Sequence, residues 1–312
     1  MRHNTMKTIY ASLLSTCILT TVFFSGCIEE TGPYGDPNTF YVSLDGDYEY
    51  TSIQQAIDDA PENYTVYVLP GYYNESVIIN KTISLIGEDV ANTIINANYS
   101  GDVIKVTGPG NVTVTGFTLI NSGKSTNSAD YDSGIDIHCD GNKFSHLIVR
   151  NNRMGIWSYS SSNNQYTNIT LTNNSYYGMY LYSSSNSNVI NYCVFYKNEA
   201  TSGYAFRIKT SKNNVVKNSY FGENARGLYF CCGARDNIVY HNTFENNQQW
   251  NARDDIGNHW YNGEELTGNY WSDYGGVDED NDGIGDTPYN VSSGSARQDS
   301  YPLMQPIITY SP

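Results

Sequence analysis

The sequence predicts an all-β chain wound as a right-handed parallel β-helix, and three observations predict it. First, a segment repeats five times, opening at Asn142, Asn164, Asn188, Asn214 and Asn237. Seven residues after each Asn stands a hydrophobe: Val149, Leu171, Phe195, Phe221 and Phe244, so successive anchors lie 22, 24, 26 and 23 residues apart. A period in the twenties that carries strand-like segments marks stacked coils, each able to bury its apolar face only against its neighbours. Second, Gly134, Gly155, Gly178, Gly203 and Gly227 each open a strand, with alternate residues after them apolar except Ser158, as one strand face requires. Third, Ser52 to Ala60 places Ile53, Ala56, Ile57 and Ala60 at helical spacing before Pro61, a short amphipathic helix suited to cover the open first coil.

Taken in order, residues 1–27 read as a signal peptide. Arg2 and Lys7 precede a mostly apolar run from Ile9 to Phe24, and Phe24-Ser25-Gly26-Cys27 resembles a lipoprotein signal in which Cys27 is lipidated. Removing residues 1–26 takes away two basic residues and no acids, so the formal charge moves from −15 to −15 − 2 = −17. Residues 28–38 read as a tether, 39–250 as the β-helix and 251–312 as an irregular C-terminal cap. The repeated Asn residues have a scaffold role: Asn tolerates left-handed backbone in turns, and stacked Asn side chains form hydrogen-bonded ladders. Cys139, Cys193, Cys231 and Cys232 show no metal-finger spacing and read as buried small hydrophobes.

The segment from Phe40 to about Asn96 carries Ile53-Gln54, Val66 to Tyr72 with Pro70-Gly71, and Ile83 to Gly87. It resembles the opening coil of pectin-lyase-like β-helix proteins, including pectin methylesterases and NosD-like proteins, and the resemblance implies the fold rather than an activity. Positions two and four after each Gly face outward and read Asp136/His138, Trp157/Tyr159, Tyr180/Tyr182, Ala205/Arg207 and Tyr229/Cys231. Coils stack at about 4.8 Å, so these form two columns, with Trp157, Tyr180 and Tyr229 in one and Tyr159, Tyr182 and Arg207 in the next. Aromatic faces flanked by charged groups suit sugar rings, and the resemblance implies a substrate cleft on this face. The carbohydrate-binding candidates are therefore Trp157, Tyr159, Tyr180, Tyr182, Arg207 and Tyr229, with a covering segment from Ser122 to Asp132 as the competing explanation of the aromatics.

Catalysis needs more. The short motifs of paired Asp with Arg and Gln that pectin methylesterases carry are not found, and a glycosidase needs two carboxylates at a set separation. Asp130, Asp132, Asp136 and Asp140 cluster around His138, with Lys105 or Arg207 on nearby coils. Asp136, His138 and Arg207 are weak catalytic candidates, and the expectation leans against catalysis.

The local motif Asp278-Glu279-Asp280-Asn281-Asp282-Gly283-Ile284-Gly285-Asp286 has oxygen donors at positions 1, 3, 5 and 9 and Gly at 6, a turn that wraps calcium. Asp278, Asp280, Asp282, the Ile284 carbonyl and Asp286 are the expected ligands of a structural ion. Tyr289 stands where an EF-hand has its bidentate Glu, and Asp273 or Asp299 is a candidate for that missing carboxylate. The loop resembles those of dockerin-like and thrombospondin-like repeats. Gly268 to Leu303 resembles the closing module of archaeal NosD-like surface proteins, in which Trp271, Tyr274, Tyr289 and Leu303 would cover the last coil. NosD-like proteins are often labelled copper-binding, yet the five His and five Met here are scattered and no pair has ligand spacing, so no copper site is expected.

Composition narrows the partners. Lys and Arg total 17 against 32 Asp and Glu, which argues against nucleic acid. Tyr is abundant at 29 residues, and eight N-x-S/T sequons fit an exported chain. The expectation is an exported cell-surface protein that binds extracellular polysaccharide or envelope glycan and meets the membrane only through a lipid anchor. The rivals are a polysaccharide-active lyase, hydrolase or epimerase, and a purely structural envelope protein.

Overall fold

A computed structural model describes residues 35–125, 131–198, 203–291 and 297–310. The signal segment with Cys27, most of the tether, and Asp130 lie outside the described residues. Asn38–Pro312 forms one compact unit built of stacked parallel strands. A 16-stranded sheet runs from Thr39–Val42 to Tyr270–Trp271, and an eight-stranded sheet from Val77–Ile79 to Ala252–Asp254. The stack therefore continues past residue 250, and its last rung closes at Trp271. Among the described residues the antiparallel strand pair is Tyr289–Asn290 with Gln298–Asp299, in the cap.

Three faces arise because the larger sheet turns a corner. The strands Lys143–Arg150 and Gln165–Thr172 bend at His146 (φ 50°) and Asn168 (φ 54°). One coil further on, the bend splits the strand into Val189–Asn191 and Val194–Tyr196 around Tyr192 (φ 54°). At the N-terminal end the helix Ile53–Asp59 buries Ile53, Ala56 and Ile57, and Ser52 caps it by accepting from the Gln55 N–H. Glu75 adds a second anchor, receiving the Ile53 and Gln54 amides on its carboxylate.

The predicted anchors stack in register: Val149 on Leu171, Leu171 on Phe195, then Phe221, Phe244 and Trp271. The four aromatic rings lie parallel, with centroids 4.5, 4.7 and 4.5 Å apart, and Tyr289 of the cap continues the pile at 4.2 Å from Trp271. Each ring covers the next, so the cap's role is to cover the last one.

The ladders also form, with one revision. Each Asn of the series 142, 164, 188, 214, 237 receives on its Oδ1 the backbone N–H of its counterpart one coil earlier, as in Asn142 to Asn164 at 2.8 Å. The side-chain Nδ2 donates to the same oxygen. Left-handed backbone is not what these Asn residues provide. That conformation falls one residue earlier, at Gly141, Asn163, Ser187, Asn213 and Asp236, with φ of 75°, 58°, 56°, 57° and 60°. The ladder positions demand a side chain that accepts and donates at once, and Asn meets that demand.

A ladder polarised this way leaves its last Asn needing an acceptor, and a carboxylate oxygen supplies one. The first ladder passes through Asn258 to the buried Asp254, which also receives the Trp260 indole N–H. A second, Asn152 to Asn174, Asn198, Asn224, Asn247 and Asn251, ends on Asp273. A third, Ser219 to Asn242 and Asn269, ends on the buried Asp299, which also receives the Trp271 indole N–H. Asp273 and Asp299 are thus committed to the scaffold, which corrects the expectation that one of them completes a calcium loop.

Candidate functional site

The outward residues of the eight-stranded sheet form the candidate site, and pairing fixes their columns. Lys105, Asp136, Trp157, Tyr180, Arg207, Tyr229 and Arg253 follow one another in the first. Tyr159, Tyr182, Lys209 and Cys231 follow in the second. Arg207 therefore stands in line with Trp157 and Tyr180, not beside Tyr182 as expected. The error traces to Gly203. Tyr177 pairs with Tyr204 and Met179 with Phe206, so Ala205 occupies the register of Gly178. Gly203 is required elsewhere, where a Cβ would lie 1.6 Å from the Tyr176 carbonyl oxygen.

Burial sorts the candidates. Trp157 is fully buried and Tyr180 nearly so, in a satellite cluster with Met154 and Tyr177. Tyr131 lies edge-on to Trp157 at 5.4 Å, so the segment expected to cover the aromatics does reach them. Tyr159, Tyr182, Tyr204 and Tyr229 are half-buried and border this cluster or extend it. Two contributors that the sequence reading missed complete the surface. Tyr204 stacks on Tyr229 at 5.0 Å, and Trp250 packs at 5.6 Å from Tyr204. Trp250 lies outside the repeat, between the ladder residues Asn247 and Asn251, so no column registers it.

Cations are interleaved with these rings. The Arg207 guanidinium lies 5.4, 5.7 and 5.5 Å from the Tyr180, Tyr204 and Tyr229 ring centres. It donates to the Tyr177 hydroxyl at 3.1 Å and to the Cys231 sulfur at 3.3 Å, while its buried Nε has no hydrogen-bond partner. Arg153 sits over Tyr176, Arg226 over Tyr204, Lys209 over Tyr182 and Arg253 over Tyr229. A cavity of about 350 Å³ at the end of the column is lined by Trp250, Arg253, Asp255 and Arg297.

At the other end of the face is an ionic cluster. Asp136 is fully buried, and its two oxygens lie 2.8 Å from Lys105 Nζ and 2.8 Å from His138 Nε2. Both contacts are short but off-axis, and neither Asp136 oxygen has an aligned hydrogen bond. Asp102 joins at 3.6 Å from Lys105 and accepts from the Ser133 amide and hydroxyl. Burial first, and then repulsion from Asp136, push the Asp102 carboxyl up to about 7 against the pull of Ser133 and Lys105. Three coil spacings separate Asp136 from Arg207, so Asp136, His138 and Arg207 do not converge on one point.

In the C-terminal loop, Asp278, Asp280 and Asp282 present carboxylate oxygens within 4.8 Å of one another. Asn281 and Gly283 take left-handed backbone (φ 61° and 89°), and the Asp282 and Gly283 amides donate to Asp278. Asp286 accepts from the Glu279 amide at 2.8 Å, and Ile284 bridges to Leu303. Cys139, Cys193 and Cys231 are buried as expected, but Cys232 is exposed at a left-handed turn (φ 58°).

The stacked parallel sheets form a parallel β-helix with the pectin-lyase-like fold. A solved pectin methylesterase from carrot superposes with a TM-score of 0.54 at 14% identity, covering 71% of this chain and 82% of that one. The chain belongs to the family described as "Periplasmic copper-binding protein (NosD)", whose model matches residues 57–276. It is similar to the "Probable ABC transporter binding protein NosD" of Stutzerimonas stutzeri, 33% identical over 98 residues, which cover 28% of this chain. The counterpart from Pseudomonas aeruginosa matches equally. Each match spans 20% of the relative's length. Membership of a family described as periplasmic agrees with an exported chain.

Copper does not fit the donors described here. The grouping of three close His, Cys, Asp or Glu donors among the described residues is wholly carboxylate, a hard-cation set. His138 is held by Asp136 and His241 by Thr267, while Cys139, Cys193 and Cys231 are buried.

Proposed function

We propose that this chain is an exported β-helix protein that binds extracellular carbohydrate along the outward face of its eight-stranded sheet. The observation that carries the reading is the column in which Arg207 is enclosed by three tyrosine rings, with further cations over neighbouring rings, on a chain of net charge −15. Rings of this kind stack on the apolar faces of sugars, and guanidinium groups bond hydroxyls and carboxylates. Of the candidates named from sequence, Tyr159, Tyr182, Arg207 and Tyr229 are the ones within reach of a ligand; Trp157 and Tyr180 support them from below. Trp250 and Arg253 extend the face toward the cap.

The test is a glycan-binding titration with the wild type and a Tyr229→Ala/Trp250→Ala pair. Loss of two stacking residues at about 1 kcal/mol each predicts a fall in affinity on the order of tenfold or more. Unchanged affinity in the pair would remove the face from consideration.

Two accessory features belong to the same reading. Asp278, Asp280 and Asp282, with the Ile284 carbonyl and Asp286, bind calcium as a structural ion of the cap. Cys27 carries the lipid that holds the protein at the outer face of the membrane.

A further inference from the structure

The N-x-S/T sequons acquire a pattern once burial is known. Every Asn that begins one is exposed, whereas no buried Asn among the described residues stands two before a Ser or Thr. The side-chain amides divide in the same way. Ladder residues such as Asn142, Asn164 and Asn188 spend Nδ2 on the next oxygen of the ladder. Asn74 and Asn290 use only Oδ1, which accepts from Asn96 and Gln298. At Asn63, Asn80, Asn98, Asn111, Asn168 and Asn173, neither atom of the side-chain amide has a hydrogen-bond partner among the described residues. Five of these take left-handed backbone where the chain turns or bends: Asn63, Asn98, Asn111, Asn168 and Asn173, with φ of 67°, 50°, 56°, 54° and 54°. Asn173 and its partner hydroxyl residue Ser175 also open together into a surface cavity of about 560 Å³, beside Lys197 and Glu223.

We propose that these six Asn residues are sites of N-linked glycosylation, and that the glycans sheath the N-terminal coils and one corner of the β-helix while the coils from Tyr177 to Arg253 stay bare. The inference rests on export and not on the carbohydrate-binding reading. The chain is the acceptor, a transferase of the exporting cell is the catalyst, and the donor is an oligosaccharide linked through phosphate to a polyprenyl lipid. A C–N bond forms between Nδ2 and the anomeric carbon of the first sugar. The bond from that carbon to the phosphate oxygen breaks, the lipid phosphate leaves with the electron pair, and Nδ2 releases a proton. An acceptor nitrogen has to be reachable and uncommitted, because a bulky polar graft fits only at the surface. The ladder Asn residues fail on both counts, and the six meet both. Their placement is uneven. Asn63, Asn80, Asn98 and Asn111 lie on the first coils, Asn168 sits at the bend of Gln165–Thr172, and Asn173 follows that strand. No sequon falls between Tyr177 and Arg253, so the stretch that holds Arg207 and Tyr229 carries no acceptor on any face.

The experiment isolates the full chain from the cell that exports it and maps its peptides by mass spectrometry. Trifluoromethanesulfonic acid first trims each glycan to the sugar joined to nitrogen, so the readout does not depend on glycan type. Peptides that contain the six Asn residues are expected to carry the mass of that sugar, and peptides with ladder Asn residues to carry none. Replacing the sequon hydroxyl is expected to abolish the added mass at its own Asn while leaving that Asn in place: Thr113→Val for Asn111, Thr170→Val for Asn168 and Ser175→Ala for Asn173. These variants spare the left-handed Asn positions, where Asn→Gln could fail to fold. Sugar on none of the six would overturn the proposal, as would sugar that persists after the hydroxyl is removed. Equal modification of an exposed Asn outside any sequon, such as Asn163, would also overturn it. Sugar on an Asn between Tyr177 and Arg253 would overturn the bare stretch.

Discussion

At the scale of single residues, Asn163 and Asn164 separate two roles that a sequence lumps together. Asn163 supplies left-handed backbone, whereas Asn164 is fully buried and accepts two bonds from Asn142 while donating to Asn188. Asn163→Gly should change the unfolding free energy by no more than about 0.5 kcal/mol, because Gly adopts positive φ freely. Asn164→Ala should cost about 2–3 kcal/mol, since it leaves buried amides without an acceptor. Equal costs in chemical denaturation would contradict this division. The same reasoning explains what was hidden in the sequence. The Asn repeat announces a ladder, but neither the repeat nor a motif reveals that Asp254, Asp273 and Asp299 end the ladders, because each lies in a stretch without periodicity. The reach of Asp273 was misread for that reason.

Asp299 also gives the molecule a pH dependence. Its carboxyl is raised from 3.8 to about 6, chiefly by burial, which outweighs the donors from Trp271, Asn269 and Tyr301. A folded pKa above the unfolded one means the native state holds the proton more tightly. Stability from this group is therefore greatest below about pH 4 and is lost as pH rises to about 6. Urea titrations of wild type and Asp299→Asn should differ in slope within that window, and parallel curves across it would contradict the assignment.

At the scale of elements, the stacked rings and the cap loop carry the argument. Phe221 lies between Phe195 and Phe244 at 4.5 and 4.7 Å, so Phe221→Ala should cost about 3–5 kcal/mol by opening a cavity in the pile. This column was legible in the sequence because one hydrophobe recurs at each anchor. The outward columns were less so: insertion of residues before Ala205 shifted the Gly register by two, and only pairing put Arg207 beside Tyr180. The covering of Trp157 was partly legible, since the Ser122 to Asp132 segment was a candidate cover, but only the structure places the Tyr131 ring against Trp157. For the cap, calcium should raise the melting temperature and a chelator should reverse the gain. Asp278→Asn with Asp280→Asn should remove the response, and a melting temperature indifferent to calcium in the wild type would end the proposal.

At the scale of the whole molecule, the two ends are closed differently and the long middle is left to present a surface. A helix covers the first coil, and an aromatic pile with three carboxylate terminators closes the last. Between them the outward face of the eight-stranded sheet gathers rings and cations on a strongly acidic chain, which is where a ligand has most to gain. The measurement that bears most directly on this account is a binding titration of immobilised anionic and neutral polysaccharides against wild type and Arg207→Gln. The account predicts saturable binding that the substitution weakens by about tenfold or more in a chain that still unfolds cooperatively. Binding of full strength in Arg207→Gln, or no binding to any polysaccharide by the wild type, would contradict it.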